Sequence, residues 1–303
     1  MQGKSRFECG DASTRDDDPS HGCIVAEASA SAIRTDTERV AGNYGTVRTV
    51  ALVLVLATAS TALAGSAERP WRPDVAAAKR YALHRHGVIA FAVRTPTRAW
   101  GWHAYQTFPS ASLVKAILLV AYLDRPSVRS RALGSADRSL LDPMIRRSDN
   151  DAASRVLQID GSGAVYGVAR RAGMRRFRLE TNGYWGFSRV DAADQSRFFL
   201  RIDRLVAPRH RAYAMRLLNT ITPVQRWGVA RVRPSGWRLY FKGGWGSGTG
   251  WVDHQTALLT RGDQRVSLSI LTFEDGSHTY GMQTEQGIAA RLLRGLARAG
   301  DVP

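Results

Sequence analysis

Cysteine is almost missing from this 303-residue sequence: Cys9 and Cys23 are the two present, and none follows residue 23. A disulfide framework and a cysteine-rich zinc site are therefore excluded from the rest of the chain, which has to be held by its core. Lysine is scarce too, with four residues among 43 Lys+Arg. The sequence has no HExxH, no G-x-S-x-G elbow and no Walker loop, and the glycine-rich stretch 243–250 follows a lysine where a phosphate cradle would precede one. His84 and His86 sit two apart on a helical segment and face different ways, a poor metal pair. No cofactor and no metal are expected.

No apolar run reaches the ~20 residues of a membrane span. The run Val50–Ala64 has 15 residues, follows Arg48, and ends in Ala62-Leu63-Ala64 before Gly65, which is the anatomy of a secretory signal peptide. Residues 47–64 are read as that signal, cleaved near Ala64. Residues 1–46, polar and without apolar period, are read as an extension ahead of a translation start at Val47. The expected working chain is a single extracytoplasmic domain, 65–303, secreted or held in the cell envelope.

Six of the 43 Lys+Arg and eight of the 26 Asp+Glu lie in residues 1–64, leaving 37 basic against 18 acidic residues in the expected domain. Its arginines are scattered and not interleaved with aromatics, which argues against nucleic acid and for a solvated basic surface. For an exported monomer, anionic envelope polymers are the expected macromolecular partners.

Apolar patterning predicts a helix over 74–86, a buried strand over 88–93, and a second strand over 98–106. Residues 112–124 are apolar on nearly every face and predict a helix buried all round. From about 126 to 219 the pattern is helical, with segments at 140–147, 152–158, 163–172 and 192–205 and no convincing strand. Three strands follow in meander spacing, over 237–241, 252–259 and 265–273, and a helix over 284–299 closes the chain. This order predicts an α/β (α+β) fold: an antiparallel sheet flanked by helices, with an all-α lobe of about 126–219 inserted as a second lobe.

Three lysines follow residue 64: Lys79, Lys115 and Lys242. In a background that writes arginine elsewhere, Lys115 and Lys242 point to chemistry a guanidinium cannot do, since a buried ammonium near another cation can become a neutral amine. Ser112 and Lys115 are three apart at the start of the buried helix, a nucleophile beside a base, with free N–H groups to stabilise an acyl oxygen. Ser148-Asp149-Asn150 lies between two helices of the helical block, and Phe241-Lys242-Gly243-Gly244 on the first strand after it. S-x-x-K, SDN and a lysine-glycine strand in this order are the motif set of penicillin-recognising serine enzymes.

From about Asp74 to its end the chain resembles the class A β-lactamases and, more loosely, the D-Ala-D-Ala peptidases. The resemblance implies the β-lactamase/transpeptidase-like fold and a serine hydrolase that forms an acyl-enzyme on Ser112 and opens the amide of a β-lactam. The alternative it leaves open is a D-Ala-D-Ala carboxypeptidase-like or penicillin-binding protein with slow deacylation. It implies Lys115 as proton acceptor and Ser148 as the shuttle to the leaving nitrogen. Asn150 and Lys242 would contact substrate, and the edge at Gly243, Gly244 and Trp245 would receive it, with the Ser112 and Trp245 amides as oxyanion donors. Two departures stand out. The third motif reads KGG, without the hydroxyl that usually follows the lysine, for which Ser247 or Thr249 would have to substitute. The family's deacylating glutamate, in E-x-x-L-N, has its nearest counterpart in Glu180 of Leu179-Glu180-Thr181-Asn182.

Overall fold

The computed structural model describes residues 70–246 and 248–297; the expected extension 1–46 with both cysteines, the expected signal 47–64 and Ser247 lie outside the described residues. Helix α1 (Val75–Leu83) is started by Asp74, whose carboxylate accepts the Ala77 N–H at 2.9 Å. The chain reverses at Gly87, where φ is +87° and a Cβ would stand 2.5 Å from the Phe273 carbonyl, so the turn requires glycine. Strand β1 (Val88–Arg94) follows, with five consecutive residues buried on both faces. Strand β2 (Ala99–Trp102) is shorter than the predicted 98–106, because His103 turns the chain with φ +49°. A short β3 (Thr107–Pro109) comes next.

A 3₁₀ turn over Ala111–Leu113 feeds helix α2 (Val114–Asp124), in which Val114 to Leu123 are all buried, as the apolar run predicts. Helices α3 (Pro126–Arg129), α4 (Ser135–Arg146) and α5 (Asn150–Ala172) begin the helical block. The two helices predicted over 152–158 and 163–172 are parts of α5, interrupted at Gly161, which has φ +70° and ψ 162°. The expectation of no strand in this block is corrected by β4 (Arg189–Asp191), which pairs antiparallel with β3. Three residues are too few to show alternation in the sequence. Asp191 caps α6 (Ala192–Leu200) by accepting the Asp194 N–H at 2.6 Å, and α7 (Ile202–Leu205) and α8 (Arg211–Asn219) complete the block.

Strands β5 (Arg238–Gly246), β6 (Val252–Arg261) and β7 (Gln264–Phe273) are the predicted meander, and α9 (His278–Leu292) closes the described chain. Helix α9 starts six residues before the predicted 284 because Ser277 supplies an N-cap, accepting the Tyr280 N–H. All five long strands form one antiparallel sheet, ordered β2-β1-β7-β6-β5. Helix α6 packs on β1, β6 and β7, α9 packs on β6 and β7, and α2 packs on α5. The architecture is the predicted one, and β5 is left as an open edge facing the turn before α2.

The contact of α9 with β6 buries acids. Asp253, Asp275 and Glu285 are all inside, and two of their oxygens converge above Gly281, where a Cβ would stand 2.2 Å from Asp253 Oδ2 and 2.4 Å from Asp275 Oδ2. Both Glu285 carboxyl oxygens lack a hydrogen-bond partner. Burial, and then the charge of Asp253, push the Glu285 carboxyl well above its ordinary range, and burial pushes Asp253 up to about 9. A carboxyl raised in the folded state stays protonated after the unfolded chain has ionised, so stability falls as pH climbs above the ordinary carboxyl range. Glu285→Gln removes one such proton. Denaturant unfolding from pH 6 to 8 should show wild-type stability falling faster than the variant's by about 1.4 kcal/mol per pH unit; parallel curves would show that Glu285 ionises normally.

Candidate active site

The three motif segments meet. The 3₁₀ turn carries Ser112, α2 carries Lys115, the α4–α5 connection carries Ser148, the first residue of α5 is Asn150, and β5 carries Lys242 to Trp245. Strand β5 passes close against the serine turn, since a Cβ on Gly244 would lie 3.0 Å from the Ser112 nitrogen and 3.1 Å from that of Leu113. A larger residue would have to push the serine turn back by a few tenths of an ångström. Two residues of the site hold left-handed backbones that non-glycine residues rarely adopt, Ala111 at φ +42° and Ser148 at φ +60°.

Ser148 is the hub. Lys115 Nζ donates to the Ser148 carbonyl at 2.5 Å, to Ser148 Oγ at 3.2 Å and to Asn150 Oδ1 at 2.7 Å. Lys242 Nζ reaches the same Oγ at 3.0 Å and donates to its neighbour's carbonyl, Gly243 O, at 2.8 Å. The strained Ser148 backbone thus turns both its carbonyl and its hydroxyl toward the lysines. Both lysines are 0% exposed, and among the described residues neither has a carboxylate within ion-pair distance.

Burial lowers the Lys115 ammonium to about 7, against a smaller opposing pull from Asp149, whose carboxylate caps α5 through Ala152 N–H at 2.8 Å. Lys242 is also lowered, by burial and then by repulsion from Lys115. Trp185 lies with its ring centroid 4.9 Å from Lys115 Nζ and donates its indole N–H to Ser154 Oγ at 3.0 Å.

Ser112 is half-buried and opens onto a cavity of about 460 Å³ walled by Asn150, Ser154, Tyr184, Trp185, Phe187 and Trp245. Its hydroxyl has no hydrogen-bond partner among the described residues, and Lys115 Nζ is turned to Ser148 and Asn150. The lysine's three donors are occupied by the SDN motif.

Glu180 is not brought to this cavity. It lines a different one, with Asn182 and Arg189, and its Oε1 accepts the N–H groups of its own neighbours Thr181 at 2.9 Å and Asn182 at 3.4 Å. The carboxylate thus folds back onto its own loop, and its cavity shares the walls Tyr184 and Phe187 with that of Ser112. Among the described residues that wall the Ser112 cavity there is no Asp or Glu.

The KGG departure has a steric cause. A Cβ at Gly243 would stand 3.2 Å from Trp227 Cζ2, so the indole takes the space of the usual hydroxyl-bearing side chain. Trp227 packs edge-on against Trp245 at 5.0 Å, and His278 stacks on Trp245 at 5.9 Å while its Nδ1 meets Asp253 Oδ1 at 2.5 Å. Of the expected substitutes for the hydroxyl, Thr249 lines the cavity, with its Oγ1 turned to Gly246 O at 3.4 Å.

Sequence reasoning set the histidines aside, yet His254 anchors the site. Its Nε2 lies 2.8 Å from Pro109 O, tying β6 to the segment before the serine turn, and its Nδ1 lies 2.9 Å from Asp253 O and 3.2 Å from Thr272 N. Full burial depresses its pKa to about 4, so it stays neutral. A lone histidine inside a strand carries no sequence signal for such a role.

Comparison with known proteins agrees with this fold. The β-lactamase from Sphaerobacter thermophilus superposes with a TM-score of 0.62 at 19% identity, over 73% of this chain and 96% of that one. A class A β-lactamase from Mycobacterium abscessus gives 0.62 at 18% identity, over 74% and 99%. An ancestral class A β-lactamase gives 0.61 at 16% identity, over 73% and 99%. At these identities the likeness is one of fold. No curated protein sequence matches the chain. The model of the β-lactamase enzyme family matches residues 136–296, more than half of the chain and inclusive of the SDN motif and the Lys242 strand, and the protein belongs to that family.

Proposed function

We propose that this hydrolase is a serine enzyme that acylates Ser112 with a β-lactam and releases the opened product. The observation that carries the reading is the meeting of Lys115 and Lys242 at Ser148 Oγ, from separate segments, with Ser112 and Asn150 of the same motifs lining one cavity. Ser112 Oγ attacks the lactam carbonyl carbon, and the C–N bond breaks. The serine proton passes to a neutral Lys115 and, through Ser148 Oγ, to the leaving nitrogen. Trp245 lies on the edge strand, and its amide and that of Ser112 serve the developing oxyanion. Asn150 meets the substrate amide. Lys242, 3.0 Å from Ser148 Oγ, in its protonated form holds the carboxylate of the substrate. The 15-residue apolar run supports work outside the cytoplasm, and the basic excess supports contact with anionic envelope polymers.

Release of the acyl group is the step for which the cavity is poorly equipped. With no carboxylate among its described lining and Glu180 in another cavity, a long-lived adduct of the penicillin-binding kind is the second reading. Intact mass spectrometry during reaction with a chromogenic cephalosporin decides between the two. A transient adduct on Ser112 with sustained colour supports hydrolysis, and a persistent adduct with a single burst supports the second reading. Neither adduct nor colour, across several β-lactams, would overturn both.

Three variants test the roles. Ser112→Ala should give no adduct in the same spectra. Lys115→Arg keeps a charge but cannot accept the proton, and should slow acylation by about 100-fold or more. In the wild type the acylation rate should rise with pH through about 7, where Lys115 deprotonates, and level off above it; a flat profile from pH 5.5 to 8.5 would remove Lys115 as the base. Glu180→Gln keeps the oxygen that accepts the loop amides, so steady-state turnover should stay within about twofold of wild type, and accumulation of an adduct in this variant would restore Glu180 as the deacylating base.

A further inference from the structure

A second cavity, of about 390 Å³, opens at the β2 end of the sheet, and no residue that lines it lines the Ser112 cavity. Arg94, at the end of β1, reaches into its wall together with Trp100, His103, Tyr105, Gln106 and Ala193. The Arg94 guanidinium makes no hydrogen bond and no ion pair among the described residues, and its Nε is shielded from solvent without a partner. An arginine placed so usually has a carboxylate or a carbonyl in front of it.

Its neighbours show why none is available. Asp194 is the acid of this region, and it is saturated: one oxygen accepts the backbone N–H groups of Arg175 at 2.6 Å and Arg176 at 2.7 Å, and the other pairs with Arg197. Asp191 spends one oxygen on the Asp194 amide as the cap of α6. Arg197 is further engaged with the Gly173 carbonyl at 2.9 Å. Arg176 lies over the Tyr105 ring at 4.7 Å and has no carboxylate within ion-pair distance. Arg94 and Arg176 thus lie near Tyr105 without an ion pair among the described residues, although Asp194 attracts Arg94 and Asp191, whose buried Oδ2 makes no hydrogen bond, attracts Arg176. Arg94 feels burial and the like charge of Arg197, both of which lower its pKa and are relieved by a bound anion. The remaining polar side chains at the rim, His103, Tyr105 and Gln106, also have no hydrogen-bond partner among the described residues, while Ala92, Trp100 and Ala104 give the cavity an apolar side.

We infer that this cavity is a binding site for a small organic anion, with one carboxylate or phosphate group held by the Arg94 fork and a planar apolar body laid against Trp100 and Tyr105. The guanidinium offers two parallel donors to such a group, which a lysine at this position would not.

Isothermal titration of the full chain with phenyl phosphate at constant ionic strength tests this. Saturable one-to-one binding is expected, with no comparable heat from benzyl alcohol. Arg94→Met should weaken it by about tenfold or more, and Arg94→Lys should restore part of the loss. Circular dichroism melts report whether the variants fold. Should Arg94→Met fail to fold, Gln106→Ala and Tyr105→Ala, both at exposed positions, should each weaken binding severalfold. Unsaturable binding, equal binding of benzyl alcohol, or an affinity unchanged in folded Arg94→Met or in both rim variants would overturn the site.

Discussion

Two ammonium groups buried around one hydroxyl, with no carboxylate paired to either, are the constraint on which the site depends. Lys115 and Lys242 both reach Ser148 Oγ from opposite segments of the chain, and both are 0% exposed. Burying unpaired charge is costly, and the cost is met in two ways. Their donors are given oxygens, namely the Ser148 carbonyl, Asn150 Oδ1 and Gly243 O, and their pKa values fall so that the charge can be given up. That second route is the useful one for chemistry, because a lysine poised near 7 can take a proton from serine and pass it on. The left-handed backbone at Ser148 belongs to the same arrangement, since it turns carbonyl and hydroxyl together toward the lysines.

The rest of the fold keeps these groups within reach of the serine. Helix α2 is buried along its length, so Lys115 cannot swing to solvent. Gly244 lets β5 lie against the serine turn, and the neutral His254 ties the residues before that turn to β6. Behind β5, Trp227 stands 3.2 Å from where a Cβ at position 243 would lie, and it packs edge-on against Trp245 and His278. The wall of the cavity is aromatic in consequence, with Trp185 covering Lys115 from the other side. An acylating arrangement is well supported by these contacts. The carboxylate that a fast deacylation calls for is missing from the same described wall.

The sheet end near β2 shows the same physics with a different outcome. Asp194 is used up on backbone amides and Arg197, so Arg94 is left half-buried with no partner. Around Ser148 the chain itself supplies the oxygens that face the cations. At Arg94 it does not, and that difference marks the position as one to be completed from outside.

Several features were determined by the sequence alone. Uninterrupted apolar runs predicted β1 and α2, the meander spacing predicted β5 to β7, and the order of S-x-x-K, SDN and KGG named the lysines and serine that meet at Ser148 Oγ, because burial on every face and motif order are both written locally. Boundaries set by single capping or turn residues, such as Ser277 before α9 and His103 after β2, were less legible, and the three-residue β4 was invisible because it exists only through its pairing with β3. What tertiary structure decided was the direction of side chains. Three-residue spacing put Lys115 beside Ser112, but the lysine's donors turned to Ser148 and Asn150 once the SDN segment arrived from 33 residues away. Position in a loop put Glu180 near the expected base, but its carboxylate closed onto the amides of its own loop. KGG read as a missing hydroxyl until Trp227 was seen to occupy the space. In each case the outcome depended on which distant atoms compete for one polar group or one volume, and that competition is settled only when the segments pack.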